Sequence, residues 1–154
     1  MSEAPSPRRE PSKALLPAFA AAGLQVAVVV ALWGIIALAV DRDAIDYPDA
    51  GPLLGPAIVI AGAAVTFLAV RSSLSASAPP IVDVVSAVLA TVGAFVAMVV
   101  VGASGYSLTR GDVGWMPVAA AHLALSPFVI GAALTAGPVA AATHWLVSFD
   151  RRRR

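Results

Sequence analysis

Four stretches of this chain are apolar for long enough to cross a lipid bilayer, and that constrains its fold more than any motif does. They cover about residues 18–40, 53–70, 81–101 and 117–147. A helix rising ~1.5 Å per residue needs ~18–25 residues to cross ~30 Å of hydrocarbon. The pattern predicts an all-α membrane protein, with four transmembrane helices in an up-down bundle and a last helix that is long and Pro-kinked. Only 12% of the residues are charged and 59% are hydrophobic, against about 25% charged in a soluble domain.

Charge then orients the spans. One side holds Arg8, Arg9, Lys13, Arg71 and Arg151 to Arg154; the other holds only Arg42 and Arg110. Lys and Arg in short loops collect on the cytoplasmic side, so both termini are expected there, with the protein in the inner, or cell, membrane. Most of the acids fall opposite: Asp41, Asp43, Asp46, Asp49 and Asp112 outside, against Glu3, Glu10, Asp83 and Asp150 inside. Tyr47, Tyr106 and Trp115 sit near the outer interface and Trp145 near the inner one, as aromatic anchors do.

Residues 1–13 carry three prolines and mixed charges without apolar period, which reads as a disordered cytoplasmic tail. Residues 14–149 form the membrane domain, and 150–154 a polybasic cytoplasmic tail. Ala37-Leu38-Ala39 has the form of a signal-peptidase site. The preceding apolar run is longer than the ~7–15 residues of a signal core, so the first span is read as retained. The second helix opens on Gly51-Pro52 and Gly55-Pro56, where a first turn tolerates proline.

The fourth segment is unusually long. Trp115 and Trp145 would stand ~45 Å apart on one straight helix, and Pro127 and Pro138 lie between them. Each removes a backbone hydrogen bond, to Leu123 and Leu134 respectively. A kinked, tilted span is the expected result. The alternative is a span ending near Gly137-Pro138, followed by an interfacial helix carrying Trp145, Leu146 and Phe149.

Inside lipid, helices associate by close packing and hydrogen bonds, so small residues mark contact faces. The expected faces are Gly23, Ala27 and Ala31 on the first helix, and Ser86, Ala90, Ala94 and Gly102 on the third. Gly62/Thr66 and Gly131/Thr135 complete the set. The last two lie in a repeated motif, Gly-Ala-Ala-Val-Thr at 62–66 and Gly-Ala-Ala-Leu-Thr at 131–135. Phe19, Trp33, Phe67 and Phe128 are expected to face lipid or fill gaps.

Polar groups within the spans are the candidate functional residues, because burying them is costly. Gln25 reads as inter-helix glue. Asp83 reads as a complement to a helix N-terminus, or as a partner of His144 or Arg71 in a proton or cation site. His122 reads as a hydrogen-bonded neutral imidazole, or as a protonation switch. Gln25, Thr66, His122 and Thr135 are the residues available to line a path. The acidic loop Asp41–Asp49 lacks the spacing of a calcium loop and reads as solvated. Arg110-Gly111-Asp112 reads as a turn. Arg151, Arg152, Arg153 and Arg154 are expected to hold the last helix to anionic inner-leaflet lipids, at ~1 kcal/mol each.

The chain contains no cysteine, which excludes disulfides and thiolate metal sites. It shows no Gly-rich phosphate loop, paired-histidine metal motif or nucleophile elbow. A catalytic role, a cofactor and nucleic-acid binding are therefore not expected.

The Pro/Ser/Arg-rich head, Ala/Val-rich spans and arginine tail resemble small uncharacterised four-span membrane proteins of actinobacteria, a resemblance that implies no activity. Small four-helix multidrug exporters differ, since they place a glutamate in the first span and residues 18–40 contain no acid. The function expected is a non-enzymatic accessory or scaffold subunit acting through helix–helix contacts, as a homo-oligomer or with a membrane protein partner. A minimal transporter or channel for a small solute or ion is the alternative, and a holin-like permeabilising protein a weaker one.

Overall fold

The computed structural model describes residues 12–41, 51–75 and 81–153, with the side chains at 12–14, 75, 81–83 and 150–153 outside the description. The acidic loop at 42–50 is therefore outside the described residues, as are most of the N-terminal tail and the side chains of Asp83 and Arg151 to Arg154. Among the described residues the secondary structure is entirely helical. α1 spans Ser12–Val40, α2 Leu54–Ser75 and α3 Ile81–Arg110. A single 3-10 turn, Val113–Trp115, leads into α4 (Met116–Ala124) and α5 (Pro127–Arg153).

Four of these helices are long and apolar enough to cross a membrane, over Leu15–Val40, Leu54–Leu74, Val84–Arg110 and Pro127–Phe149. Many of their large apolar side chains are exposed. Leu38 (88% exposed), Leu16, Val84 and Leu89 all point outward. A water-soluble protein rarely displays a continuous apolar exterior, so this surface belongs to a membrane protein.

The long helices form a ring in which α1 touches α2, α2 touches α3, α3 touches α5 and α5 touches α1, while α2 and α5 also meet across the centre. The core falls into two clusters. One joins Val29 of α1, Ile58 and Val59 of α2, Met98 and Tyr106 of α3, Leu123 of α4 and Val129 of α5. The other joins Ala18 and Ala21, Val70 and Leu74, Ala90, and Val139 and Ala140. Low-numbered residues of α1 and α3 thus meet high-numbered residues of α2 and α5 in one cluster, and the reverse holds in the other.

Alanine and glycine allow the helices this closeness. On α3, Ala90, Ala94, Met98, Gly102 and Tyr106 recur every fourth residue and are all buried, which is one face of a helix. A Cβ on Gly137 of α5 would come within 2.8 Å of the Ala87 carbonyl oxygen on α3, so these two backbones are nearly in contact. Gly62 packs against the Met98 side chain of α3, and Gly131 against Leu32 and Ile36 of α1. The two repeated motifs therefore face different neighbours. Their burial is also offset, with Gly62 and Thr66 buried but Gly131 and Thr135 half-buried.

The fourth apolar segment is two helices rather than one. α4 ends at Ala124, and α5 restarts at Pro127. Pro127 has no N–H for the Leu123 carbonyl, which instead accepts from Ser126 N at 3.1 Å. α5 then continues through Pro138 to Arg153, so no separate interfacial helix follows Gly137-Pro138. Both proline positions carry the same backbone defect. The chain breaks only at the first, where α4 leaves the line of α5 to bury Ala119 and Leu123.

The other end of α3 is closed by a Schellman turn. Gly111, at φ +67°, donates to Leu108 O, and Asp112 N donates to Ser107 O. Asp112 Oδ1 then accepts from Gly114 N at 2.8 Å and caps the 3-10 turn. Arg110 lies over the rings of Trp115 (4.5 Å) and Tyr106 (5.3 Å). Each residue of the Arg110-Gly111-Asp112 tripeptide thus has a local structural task.

Candidate functional site

Between the two apolar clusters lies a polar layer. On α1, Gln25 follows Ala21 by one turn and precedes Val29 by one turn, and all three are buried. Gln25 and Thr66 are both 0% exposed. The Gln25 Nε2 amide donates to Ala132 O at 3.1 Å and to Thr135 Oγ1 at 2.9 Å, linking α1 to α5. Thr135 Oγ1 in turn donates to Ala132 O at 2.7 Å. Its proton is therefore committed to its own helix, and its lone pair is left to receive the amide. Thr66 Oγ1 donates to Gly62 O at 3.2 Å. Thr91 and Thr143 make similar bonds to the carbonyls four residues back, which keeps hydroxyls satisfied within a span.

A second α1–α5 tie lies two turns further along α1. Trp33 Nε1 donates to Phe128 O at 2.9 Å, and the two rings meet edge to face at 6.2 Å. The Phe128 carbonyl lies in the first turn of α5, and a carbonyl has a second lone pair with which to accept a side-chain donor. Sequence reasoning placed Trp33 and Phe128 among gap-filling or lipid-facing residues. Phe128 is buried, and Trp33 is a hydrogen-bond donor to a neighbouring helix. The advance signal was the indole N–H itself, a donor that needs an acceptor inside a span.

The sequence-derived candidates separate into three groups. Gln25 and Thr135 are brought together, and Thr66 lies in the same buried layer. His122 is exposed on α4 and His144 half-buried near the end of α5, so neither shares the enclosed setting of Gln25. The proposed Asp83–His144 pair rests on a side chain outside the described residues.

The packing residues also divide. Gly62, Ala90 and Ala94 are buried, and Gly131 is half-buried against α1. Gly23 is different: it is exposed, and a Cβ there would meet nothing within 4 Å. The whole expected stripe of Gly23, Ala27 and Ala31 faces outward. The inward face of α1 is Ala18, Ala21, Gln25 and Val29 instead. Burying the Gln25 amide against partners on α5 determines which way α1 is rotated, and the small stripe turns outward as a result.

Residues 8–154 match a family described as a family of unknown function (DUF6121). The chain belongs to that family. No curated protein and no solved structure matches it.

Proposed function

We propose that this DUF6121 protein is a non-enzymatic accessory or scaffold subunit of the cell membrane that presents α1 to another transmembrane helix. The observation that carries the reading is the outward face of α1. Gly23, Ala27, Ala31 and Gly34 follow one another at helical spacing, all exposed, and nothing lies within 4 Å of a Cβ at Gly23 or Gly34. Nothing among the described residues requires small residues there, yet small residues are what a second helix needs for close approach. α1 is also the span least covered by its own chain, with 11% of its most apolar window buried against 39% in α2 and α5.

In this reading the spans run alternately up and down, with both termini cytoplasmic as the basic flanks direct. The arginines at 151–154 hold the end of α5 to anionic lipid.

The absence of cysteine makes the test direct. Single replacements Gly23→Cys, Ala27→Cys and Ala31→Cys are cross-linked in native membranes, with Val96→Cys on α3 as the outward-facing control. Cross-links at the α1 positions and none at Val96 support the proposal. The mass of the product then separates a second copy from a different protein. Equal cross-linking at all four positions, or none on α1, overturns it.

A further inference from the structure

A groove of about 550 Å³ lies between α3 and α5 and is open to the outside of the bundle. Its walls are exposed side chains, Val88 and Val92 on α3 with Leu134 and Ala141 on α5. Its floor is the closest approach of the two helices, where Gly137 has no side chain to hold it off the Ala87 carbonyl. The volume falls within the ~300–1,000 Å³ of pockets that hold small molecules. Among the lining residues Thr91 alone carries a hydroxyl, and it donates to Ala87 O at 3.1 Å. The groove therefore offers no side-chain donor, and its chemistry suits hydrocarbon.

Its length and its open end narrow the occupant further. Leu134 to Ala141 is about 10 Å of helix. A packed helix would need a seam along a whole span, whereas an acyl chain crosses one leaflet, about half of ~30 Å. Along α3 the groove extends from Val92 to Val84, three residues from the helix start at Ile81. On α5, positions 134, 138, 141, 145 and 152 fall within about 60° of one line at 3.6 residues per turn. One turn past Ala141 on that line is the exposed Trp145, stacked on Phe149 at 5.6 Å, an aromatic pair of the kind found at headgroup level. Beyond it, α5 ends in Arg151, Arg152 and Arg153. The ends of α2 and α5 and the starts of α1 and α3 share this end of the bundle. Lys13 and Arg71 join the arginines there against Asp83 and Asp150, so the end is net positive.

We infer that the α3–α5 groove seats one acyl chain of an anionic phospholipid, with its headgroup at the arginine end of α5. The chain fills the apolar groove, Trp145 marks the level of the glycerol, and the basic residues meet the phosphate. The groove contains no residue of α1, so the site is independent of the α1 docking face. Only its headgroup preference rests on the reading that the arginines meet anionic lipid.

The test is native mass spectrometry of the full-length protein released from nanodiscs of equal phosphatidylglycerol and phosphatidylethanolamine. The expected spectrum keeps one phosphatidylglycerol per chain at activation that strips the other lipids. Ala141→Phe, and Val88→Phe from the opposite wall, fill the groove from exposed positions and should lose that lipid several-fold. Val96→Phe, outward on α3 beyond the groove, should keep it. Replacing Arg151, Arg152 and Arg153 by Gln should leave one lipid bound but abolish the preference for phosphatidylglycerol. No retained lipid in the wild-type protein, equal retention in both groove variants, or loss in Val96→Phe as well overturns the site. A dimer that disappears in Ala141→Phe also overturns it, by giving the groove to a second copy. Groove-dependent retention without headgroup preference in the wild-type protein overturns the anionic assignment, and the arginine reading with it.

Discussion

Gln25 Nε2 lies 2.9 Å from Thr135 Oγ1 although 110 residues separate them along the chain. This bond, with that to Ala132 O, ties α1 to α5 at the level of the polar layer. Replacing Thr135 by valine keeps the shape and removes the acceptor. Inter-helix hydrogen bonds within membranes average about 0.6 kcal/mol, with a maximum near 1.7. Thr135→Val is expected to lower stability within that range, since Nε2 keeps its bond to Ala132 O. Reversible unfolding in mixed micelles measures it.

Gln25→Glu should show a much larger effect. A carboxylate accepts but cannot donate, so both bonds of Nε2, to Ala132 O and Thr135 Oγ1, are lost, and a charge inside a span costs about 3 kcal/mol. The variant is expected to unfold well before Thr135→Val in the same assay.

Two glycines at helix contacts should respond differently to alanine. At Gly137 the added methyl meets the Ala87 carbonyl and the Thr91 hydroxyl, which are backbone and a group bonded to backbone. Overpacking of that kind costs about 1–3 kcal/mol, which outweighs the ~1 kcal/mol gain in helix propensity. At Gly62 the obstacle is the end of the flexible Met98 side chain. Gly137→Ala is expected to destabilise clearly and Gly62→Ala to be close to neutral in the same unfolding assay.

Arg110 should tie the end of α3 to the turn that follows it. Its guanidinium lies over both Trp115 and Tyr106. Arg110→Ala is expected to cost about 1 kcal/mol, and to shift Trp115 emission because the cation leaves the ring face. A Trp33→Phe, Trp145→Phe background isolates that signal.

The number and place of the long helices were legible because a membrane span is a property of length and apolarity, and residues near 18–40, 53–70 and 81–101 possess both. The rotation of each helix was harder to read. On α3 the small residues at 90, 94 and 102 coincide with the buried face. On α1 the same logic chose Gly23, Ala27 and Ala31, and the buried face proved to be the one carrying Gln25. In an Ala-rich helix small residues occur on every side, and a single amide outweighs them in deciding which side turns inward. The break before Pro127 was likewise invisible beside Pro138. Two prolines offer the same local defect, and only the tertiary resting place of Leu123 against Gly102 and Ile58 distinguishes them.

The α1–α5 link also bears on how the molecule is assembled. Chains are made from the N-terminus, and membrane helices are inserted before they pack. The span carrying Gln25 is made before the span carrying its acceptors. Throughout synthesis of the intervening spans, the Gln25 amide lacks the bonds that hold it in the finished protein. Closure of the ring therefore waits for α5, and a chain truncated before residue 132 leaves the Gln25 amide without the two acceptors that hold it.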